Sequence, residues 1–584
     1  MKLTLLCAFF WLSLTGFSQD NEKSFLQKAK SDLIRDFNNG RNEFWIVFKE
    51  QADVSEAKNL KTKKEKGEYV FQKLTETARR VQAPFISLLN NKGVDFQAFW
   101  IANAISIKGD IALAKELSAY PEVKELLPNT RFRVEEPIDP SYENVARQDA
   151  TSVYAIEWGL TKVNAPQVWA MGYKGQGVVV GGQDTGYEFD NLCLETQYRG
   201  YTGFNPDHNF NWHDAIHTTG SNCGANSPMP CDDNNHGTHT MGTMVGDDGA
   251  GNQIGMAPMA KWIGARNMNA GVGTPSTYNE CWQWFLAPTD LNNQNPTPSK
   301  APDVINNSWG CDAAEGCNST NYSTMETAIS NLRAAGVVVV CSAGNDGPNC
   351  NTVNGPPAHF DESFTVGSTT SSDAISSFSS RGNVNVDGSN RIKPDVCAPG
   401  SNIRSCIPGG SFASYSGTSM AGPHVVGAVA LLISAKPSLA GQVDTIESIL
   451  EKTAVHITST QTCNGTAPSV YPNNTVGYGR INILAAVNYA LSSTTSIDNA
   501  NPVSKGITVY PTPAIDDLFA IIENAKDVVS QVEIFNPTGQ LVLNESILMN
   551  YHSLDIPIHA LNGGVYMYSI KTGDRTYNGK FIKK

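Results

Sequence analysis

The alternation of apolar and polar residues divides the chain into three folded regions, and residues 19–136 form the first of them. An apolar strand pattern at 44–48 is followed by helical spacing at 73–89, a strand pair at 96–107, a short helix at 113–119 and a closing strand at 123–127. The order β-α-β-β-α-β predicts a small α+β unit of ferredoxin-like type. The lysine-rich run from Lys58 to Lys66 is expected to be a solvated loop or helix face.

The second region, residues 137–491, begins with a connector and continues as a large α/β unit. Pro137, Pro140 and neighbouring polar residues predict an exposed connector over 137–155. Beyond it, continuous apolar runs at 178–180, 262–265, 304–306, 337–341 and 364–366 alternate with helical segments. Continuous apolar strands separated by helices predict a mostly parallel sheet covered by helices on both faces.

The third region follows a linker at residues 492–505, which is rich in Ser, Thr, Asn and Asp. Residues 506–584 then show short strand patterns at 507–510, 518–522, 531–535, 541–543 and 565–570, separated by Asn-Pro-Thr-Gly and Thr-Gly-Asp turns. Short strands at this spacing predict a small all-β sandwich.

Composition and charge narrow the class of protein. With 584 residues, 40% hydrophobic and 17% charged, the chain can bury several cores. Residues 1–18 start with Lys2, continue with a short apolar stretch and end in Gly16-Phe17-Ser18, which predicts a secretory signal. No later apolar run is long enough to span a membrane. Residues 19–135 carry a net charge of +3 and residues 136–584 carry −17, which argues against nucleic acid as a partner.

Export makes the cysteines candidates for disulfides. Eleven of the 12 lie outside the signal, and eight of them cluster at short separations: Cys223 with Cys231, Cys311 with Cys317, Cys341 with Cys350, and Cys397 with Cys406. In an oxidising compartment these spacings favour small-loop disulfides. The connectivity stays open, and Cys341, which follows four valines, also fits a buried core thiol.

Ser419 is the candidate nucleophile. It lies in Gly-Thr-Ser-Met-Ala-Gly-Pro-His at 417–424, and the apolar residues that follow predict a buried helix beginning at Ser419. Free N–H groups at a helix start can stabilise an oxyanion, and a serine needs a neighbouring base to attack a carbonyl. Taken alone, Ser419 also fits a helix N-cap.

Three further residues supply the remaining chemistry. His236, in His-Gly-Thr-His, is the candidate base, and Asp184, at the end of an apolar strand, is the carboxylate that would orient it. Asn345, in Ser-Ala-Gly-Asn, offers an amide to the oxyanion. Individually they also fit a core histidine, a turn aspartate and a turn asparagine. A zinc hydrolase would need His-Glu-x-x-His, and an aspartic protease a second Asp-Thr-Gly; neither is present in the sequence.

Together, the four motifs closely resemble those of the subtilisin-like serine proteases, over roughly residues 156–491. The resemblance implies an endopeptidase that works through an acyl-enzyme, needs no cofactor for its chemistry and has room for structural calcium, for which Asp190, Asp232, Asp233, Asp247 and Asp248 are oxygen donors. It also implies that Ser308, Trp309 and Gly310 line one side of the substrate pocket, and that Ser342, Ala343 and Gly344 line the other. Tyr187-Glu188-Phe189-Asp190 departs from the usual His-Pro, which weakens the expectation of calcium.

The flanking regions resemble known companions of such proteases. Residues 19–136 resemble an inhibitory propeptide, which implies a zymogen whose own propeptide is an intramolecular inhibitor. Residues 506–584 resemble a type IX secretion sorting domain, which implies a secreted or cell-surface protein that engages the secretion machinery. The expected substrates are proteins and peptides. A catalytically weak surface adhesin on the same fold and an esterase are the alternatives, although an esterase would carry Gly-x-Ser-x-Gly, where this chain has Ala421.

Overall fold

The computed structural model describes residues 21–134, 137–143, 156–310, 322–492, 507–510, 513–514, 517–522, 529–537, 539–549, 553–572 and 576–584. The predicted signal at 1–18, almost all of the predicted linker, and Cys311 and Cys317 lie outside these residues. The chain divides into two compact units, Met1–Val487 and Asn488–Lys584.

The N-terminal region is an antiparallel four-stranded sheet covered by helices, in the order β2-β3-β1-β4. Its strands are β1 (Glu43–Phe48), β2 (Phe96–Phe99), β3 (Ala104–Lys108) and β4 (Val123–Pro128), and its helices are α1 (Ser31–Asn38), α2 (Lys63–Lys92) and α3 (Ile111–Ser118). The predicted α+β order is confirmed. Helix α2 begins ten residues earlier than predicted, because Thr62 and Glu65 form a capping box in front of an apolar stripe.

The prediction of a solvated lysine run is wrong for two of its members. The Lys63 ammonium donates to Asp303 Oδ1 and to the Ala301 carbonyl, each at 2.7 Å. The Lys66 ammonium, which is buried, donates to the Gly441 carbonyl at 2.7 Å. Both lysines therefore dock the N-terminal region on the large α/β region, a role that a charge pattern alone does not reveal.

The second region is built on a seven-stranded sheet in the order β15-β14-β13-β12-β7-β9-β8, in which every pair is parallel. This confirms the predicted α/β class. The first region ends with β5 (Phe132–Arg133). The strands of the second region are β6 (Ile138–Glu143), β7 (Val179–Asp184), β8 (Trp212–Asp214), β9 (Lys261–Arg266), β10 (Met268–Asn269), β11 (Val272–Gly273), β12 (Val304–Asn307), β13 (Val338–Ser342), β14 (Phe364–Thr369), β15 (Val396–Pro399), β16 (Ile403–Ile407) and β17 (Ser411–Ser416).

Helices cover this sheet, and the longest of them forms its buried centre. They are α4 (Trp158–Lys162), α5 (Ala165–Ala170), α6 (His236–Val245), α7 (Pro275–Leu286), α8 (Ser323–Ala334), α9 (Thr418–Ala435), α10 (Val443–Lys452) and α11 (Ile483–Ser492). Within the part of the chain that the structure describes, α9 is the helix long and apolar enough to cross a membrane. Because 94% of that stretch is buried inside the fold, α9 is accounted for as a core helix.

Two small sheets join the N-terminal segments to this region. Strand β5 adds to β10 and β11, and strand β6 adds to β16 and β17. The predicted exposure is confirmed at residues 140–142, but the prediction of an open chain is wrong for residues 138–143, which form a paired strand. The sequence hides this strand because Pro140 lies within it, and proline is tolerated at the edge of a sheet.

The C-terminal unit contains seven described strands in two antiparallel sheets, β18-β19-β22 and β21-β20-β23-β24. The strands are β18 (Ile507–Tyr510), β19 (Asp517–Ile522), β20 (Val529–Phe535), β21 (Leu541–Met549), β22 (Ser553–Pro557), β23 (Gly564–Thr572) and β24 (Thr576–Lys583). Leu518, Val532, Ile534, Ile556 and Ile570 are buried in its core. The predicted all-β region is confirmed, with β22 and β24 added to the predicted strands.

The cysteine pairing differs from the predicted small loops. Cys223 and Cys231 are bonded, as predicted. Cys350 is bonded to Cys463 rather than to Cys341, and Cys341, Cys397 and Cys406 are buried free thiols. The reason is position: Cys341 lies within β13, whereas Cys350 lies in the loop after β13, where it meets Cys463.

Candidate active site

Asp184 and His236 form a buried, hydrogen-bonded pair. Asp184 is the last residue of β7, and His236 is the first residue of α6. His236 Nδ1 lies 2.8 Å from Asp184 Oδ1, which also accepts the Thr185 backbone N–H at 2.8 Å. A carboxylate accepts hydrogen bonds, so Nδ1 carries the proton and Nε2 of the neutral ring is the basic atom.

Two glycines allow this close approach of helix to strand. A β-carbon on Gly237 would lie 2.0 Å from the Gly186 carbonyl oxygen and 3.1 Å from Asp184 Cβ. Gly186 has φ +114°, and a β-carbon there would lie 1.8 Å from the Cys231 carbonyl oxygen. Any larger residue at either position would push the imidazole away from the carboxylate. Close packing therefore explains why glycine stands at these positions of the Asp-Thr-Gly and His-Gly-Thr-His motifs.

Asp232 holds the start of α6 in place. Its Oδ2 accepts the Thr238 backbone N–H at 2.9 Å and the Thr238 hydroxyl at 2.7 Å. Its Oδ1 accepts the Thr185 hydroxyl at 2.8 Å and the N–H groups of Asn234 and Asn235 at 3.0 Å. One carboxylate thus ties the residue after Asp184 to the first turn that carries His236. Burial raises the pKa of Asp232, against the opposing effect of these hydrogen bonds.

Ser419 lies in the first turn of α9, which begins at Thr418. Its hydroxyl donates to the Ser308 carbonyl at 3.2 Å, and the Ser308 hydroxyl donates back to the Ser419 carbonyl at 2.8 Å. The N-cap position belongs to Gly417, so the N-cap alternative does not describe Ser419. Helix α9 packs on α6, which brings the serine-bearing and histidine-bearing helices together.

The side chain of Asn345 is held by Thr418 through its amide oxygen, which leaves its amide N–H₂ group pointing towards Gly417. Asn345 Oδ1 accepts the Thr418 backbone N–H at 2.8 Å and its hydroxyl at 3.0 Å. The Thr418 hydroxyl in turn accepts the Gly344 N–H at 3.2 Å. A backbone N–H needs an acceptor, so the atom of Asn345 that faces Thr418 is the amide oxygen. The other end of the amide, Nδ2, is therefore available as a donor. Nδ2 would lie 3.5 Å from a β-carbon on Gly417, beside the first N–H groups of α9.

The predicted pocket residues follow the ends of two neighbouring strands. Ser308, Trp309 and Gly310 come after β12; Ser342 ends β13, and Ala343 and Gly344 follow it. Trp309 does not project into a cleft, because its ring is 1% exposed and stacks on Tyr278 at 3.7 Å between centroids. Asn306 donates to the Ser308 hydroxyl at 2.8 Å, so the Ser308 side chain is committed to structure.

His239, the second histidine of the motif, braces the neighbouring sheet. Its Nε2 lies 3.0 Å from the Ile403 carbonyl oxygen and 3.1 Å from that of Ala413, and its ring stacks on Tyr415 at 4.3 Å. Burial, together with the nearby His236, lowers the pKa of His239 to about 3. His239 is therefore neutral and joins α6 to β16 and β17.

The five aspartates named as calcium donors do not form one site. Both carboxylate oxygens of Asp232 accept hydrogen bonds, from Thr185 and Thr238, and Asp233 pairs with Arg266 at 3.3 Å. Asp247 and Asp248 each accept a backbone N–H of their own turns, and Asp190 is exposed. Among the described residues, no group of three or more His, Cys, Asp or Glu is placed to hold a metal ion.

Sequence reasoning missed two elements that lie next to these residues. The first is β11, which pairs with β5 of the N-terminal region. It lies near the start of α6, because a β-carbon on Gly271 would be 3.4 Å from Nδ2 of Asn234, two residues before His236. Strand β17 leads directly into Ser419. Asp232 was named from the sequence as a calcium donor only. It accepts the N–H of Thr238, six residues on, whereas an N-cap side chain reaches two or three residues, so its spacing did not indicate this role.

Comparison with known proteins assigns both major regions. The profile of the subtilase family matches residues 175–479, and that of the secretion system C-terminal sorting domain matches residues 508–584. Bacillopeptidase F of Bacillus subtilis is 36% identical over 490 residues, which is 80% of this chain but 32% of that protein's length. Subtilisin E of Bacillus subtilis is 29% identical over 322 residues, covering 55% of this chain and 72% of subtilisin E.

The alkaline protease of Shouchella clausii is 28% identical over 359 residues, covering 60% of this chain and 78% of its own. The family profile covers more than half of the 584 residues, including Asp184, His236, Asn345 and Ser419. The chain therefore belongs to the subtilase family of serine endopeptidases and carries a secretion-system sorting domain at its C-terminal end.

Proposed function

We propose that this protein is an exported serine endopeptidase that is made as a zymogen. In it, Asp184 orients His236, His236 takes the proton of Ser419, and Ser419 attacks a peptide bond. The observation that carries the proposal is the 2.8 Å hydrogen bond from His236 to Asp184, on a helix packed against the one that bears Ser419. The bond to Asp184 fixes the tautomer in which Nε2 can accept the Ser419 proton, and it stabilises the imidazolium that results.

The reaction then follows from these roles. His236 Nε2 takes the proton of Ser419 Oγ as the oxygen attacks the scissile carbonyl carbon. The oxyanion receives hydrogen bonds from Asn345 Nδ2 and from the Ser419 backbone N–H in the first turn of α9, since the Thr418 N–H is already donated to Asn345 Oδ1. The C–N bond breaks as His236 returns the proton to the leaving amine. A water molecule, deprotonated by the same ring, then attacks the acyl carbon, and the ester bond breaks as the ring gives that proton to Ser419 Oγ.

An adhesin on an inactive fold is the alternative from a different class. The contact between His236 and Asp184 favours an enzyme, because several residues hold these two side chains together. They are Asp232, Thr185 and two glycines. A binding surface would not need that arrangement. The esterase alternative is disfavoured by the order of the motifs along the chain, in which the acid and base precede the serine.

We also propose that residues 19–136 inhibit the enzyme before cleavage. Strand β5 pairs with β11, and Phe132 and Val134 are buried at this junction. Polar contacts anchor the region elsewhere: Gln97 donates to Glu280 at 2.5 Å, and the N–H groups of Trp100 and Ile101 donate to Gln283 at 2.8 and 3.2 Å. Such a strand occupies the place that a substrate's acyl side would take.

The position of the predicted self-cleavage follows from the two paired strands. Val134 donates its N–H to the Gly271 carbonyl at 2.7 Å, close to the loop that leads to His236. Ile138 is the register partner of Ser416, three residues before Ser419. The peptide bonds of residues 134–138 join these two places, so one of them is the bond that we expect Ser419 to cut. The mature enzyme would then start close to residue 137.

Export completes the proposal. The predicted signal at residues 1–18 would direct the chain out of the cytoplasm, and the sorting domain at 508–584 would engage the secretion machinery. Peptides and proteins outside the cell are the expected substrates. Structural calcium stays a prediction from the family resemblance, and no step of the chemistry above depends on it.

Ser419→Ala tests the proposal most simply. We expect it to abolish hydrolysis of casein and of peptide p-nitroanilides, and to leave the 19–136 region attached, as seen by intact mass. Ser372→Ala, a change to an exposed serine on a surface loop, is the matched control and should keep activity and maturation. Normal maturation and turnover in Ser419→Ala would remove the proposal.

A further inference from the structure

Two buried cysteine side chains, Cys193 and Cys406, meet beside helix α6. Cys193 lies in the segment that follows β7, and Cys406 is the fourth residue of β16. They are 2% and 1% exposed, and the structure holds both as thiols. Burial raises the pKa of Cys406 well above its ordinary value, and a hydrogen bond with the Cys193 thiol raises it further. The two residues are more than 200 positions apart in sequence, so the fold brings them together.

The backbone next to each of these cysteines is anchored by side-chain hydrogen bonds. Asn191 Nδ2 donates to the Ile407 carbonyl at 3.1 Å, and Asn191 Oδ1 accepts the Cys193 N–H at 3.1 Å. Glu188 Oε1 accepts the Gly409 N–H at 2.9 Å. The segment after β7 is therefore fixed against the end of β16 by contacts that do not involve sulfur. The meeting of the two thiols follows from this backbone arrangement.

Helix α6 leaves room for the Cys406 sulfur. A β-carbon on Gly242 would lie 2.7 Å from Cys406 Sγ, and the thiol donates to the Thr238 carbonyl at 3.8 Å. Thr238 is two residues after His236, in the first turn of the helix. A covalent bond at Cys406 would therefore act at a place where the segment after Asp184, strand β16 and the start of α6 come together.

The other described thiols face different groups. Cys397, which the sequence spacing paired with Cys406, donates its thiol to the Val476 carbonyl at 3.5 Å. The Cys281 thiol donates to the Arg266 carbonyl at 3.8 Å. Burial among main-chain groups fits the use of cysteine as a small core residue at these positions. The contact between Cys193 and Cys406 is of another kind, because it joins two sulfur atoms that can react with each other.

We propose that Cys193 and Cys406 are joined by a further disulfide bond in the exported protein, and that the structure shows the reduced form of this pair. Two S–H bonds break and one S–S bond forms. In net balance, the two electrons and two protons pass to the disulfide of a protein thiol oxidant, which becomes a dithiol. Oxidants of this class act outside the cytoplasm, where the bonds of Cys223 and Cys350 would also form.

Burial decides when this bond can form. Exchange needs a thiolate and contact with the oxidant, whereas the Cys406 thiol of the folded chain is enclosed and neutral. We therefore expect the bond to close during folding, before β16 and the segment after β7 cover the two sulfur atoms. Once closed, it should resist reductant for as long as the chain stays folded.

The closed bond would stabilise the part of the fold that carries Asp184 and His236. A bond between residues so far apart in sequence restricts the unfolded chain strongly. It would also fasten the segment after Asp184 to the strand that packs beside α6. The inference does not depend on peptide hydrolysis, and its tests measure bonds and unfolding.

Peptide mapping without reduction tests the bond directly. The full-length chain carrying Ser419→Ala is recovered from an oxidising bacterial periplasm, quenched in acid, unfolded in urea with N-ethylmaleimide and digested. The fraction in which Cys350 is bonded to Cys463 is analysed, because that bond shows that oxidant reached the chain. We expect one cross-linked peptide pair that contains Cys193 and Cys406 and separates on reduction. Alkylation of both cysteines in that fraction, or a bond from either of them to another cysteine, would overturn the inference.

Urea unfolding with and without reductant is the second measurement. Reductant opens the disulfides of the unfolded chain, so the midpoint should fall in every variant. In Cys193→Ala the proposed bond is already absent, so the fall should be smaller than in the parent by roughly 0.5–1 M urea. Cys397→Ala, at a buried thiol that faces the Val476 carbonyl, is the matched control and should show the full fall of the parent. Equal falls in the parent and in Cys193→Ala would show two packed thiols and no bond.

Discussion

Strands β11 and β17 hold the two sides of the expected cleavage site in different ways. Strand β11 pairs with just two residues of β5, but Phe132 and Val134 on either side of Arg133 are 1% and 6% exposed. Strand β17 pairs with four residues of β6, yet Tyr142 remains 60% exposed. In the uncleaved chain, the segment before the expected cleavage site is therefore held by buried side chains, and the segment after it by main-chain pairing.

Aromatic stacking explains the difference on the acyl side. Phe132 stacks on Tyr278 with centroids 5.2 Å apart, and Tyr278 stacks on Trp309 at 3.7 Å. Trp309, expected from the sequence to line the pocket, thus acts as the second layer beneath it. Burial of a phenylalanine against such a stack contributes about 3 kcal/mol or more.

Asn345→Ala should have the largest effect, a fall in kcat that does not depend on which strand holds the substrate. The oxyanion forms whichever strand binds the chain, so kcat should fall by roughly 10²–10³-fold for p-nitroanilides and for long peptides alike, with KM nearly unchanged. Steady-state kinetics on both substrate types measure this, with Asn349→Ala on the exposed loop as the control. A change below threefold would strike Asn345 from the oxyanion role.

The next effect separates the two strands. In the full-length chain carrying Ser419→Ala, Phe132→Ala should weaken the docking of β5 by about 3 kcal/mol, and speed amide exchange there by roughly 100-fold. Tyr142→Ala is the matched change on β6, and its exposed ring predicts less than a threefold change in the exchange of that strand. Equal effects from the two substitutions would erase the comparison.

Asp232→Asn should disturb the position of His236, the candidate base, and leave the pairing of β11 and β17 unchanged. The amide has one acceptor oxygen where the carboxylate has two, so some of the donors at Thr185, Asn235 and Thr238 lose their partner. Loosening of His236 should lower kcat by about tenfold, with KM within twofold for short and long substrates. Asp248→Asn, in an outer turn, is the control. A rise in KM with constant kcat would show that Asp232 does not position His236.

The smallest effect concerns pH and falls on the β17 side. Burial lowers the pKa of His239 to about 3, well below the ordinary value of 6.5. The unfolded chain therefore takes up a proton at this residue as pH falls below about 6.5, whereas the folded chain does not until about pH 3. Stability is lost across that window, by about 1 kcal/mol at pH 5.5 from this residue.

Urea unfolding of the Ser419→Ala chain at pH 7.5 and 5.5 measures this loss. His239→Gln keeps a donor for the carbonyls of Ile403 and Ala413 but does not titrate, so the drop in midpoint between the two pH values should be smaller than in the parent. His456→Gln, at an exposed position, should leave the drop unchanged. An undiminished drop in His239→Gln would place the acid sensitivity elsewhere.

Local patterns predicted those parts of the molecule that depend on local chemistry. The parallel strands are continuous apolar runs, and the sequence shows their order along the chain directly. Asp184, His236, Ser419 and Asn345 were named because each stands in a glycine-containing turn. At Gly186 and Gly237 that glycine is required by the contact between β7 and α6.

The features that sequence reasoning missed depend on long-range partners. Lys63 and Lys66 look like solvated lysines until Asp303 and the Gly441 carbonyl are brought to them. Cys350 pairs with Cys463, 113 residues away, so short spacing misled the assignment. Residues 138–143 look like an open connector, because nothing in their own sequence names β17 as a partner.

Covalent labelling tests the central claim most directly. A fluorophosphonate probe, which loses fluoride on reaction with an activated serine, is added to the processed enzyme, and the adduct is located by peptide mass spectrometry. We expect a single adduct on Ser419, absent after His236→Ala although that protein remains folded. An active enzyme that carries the adduct on another residue, or labelling of Ser419 that persists without His236, would contradict it.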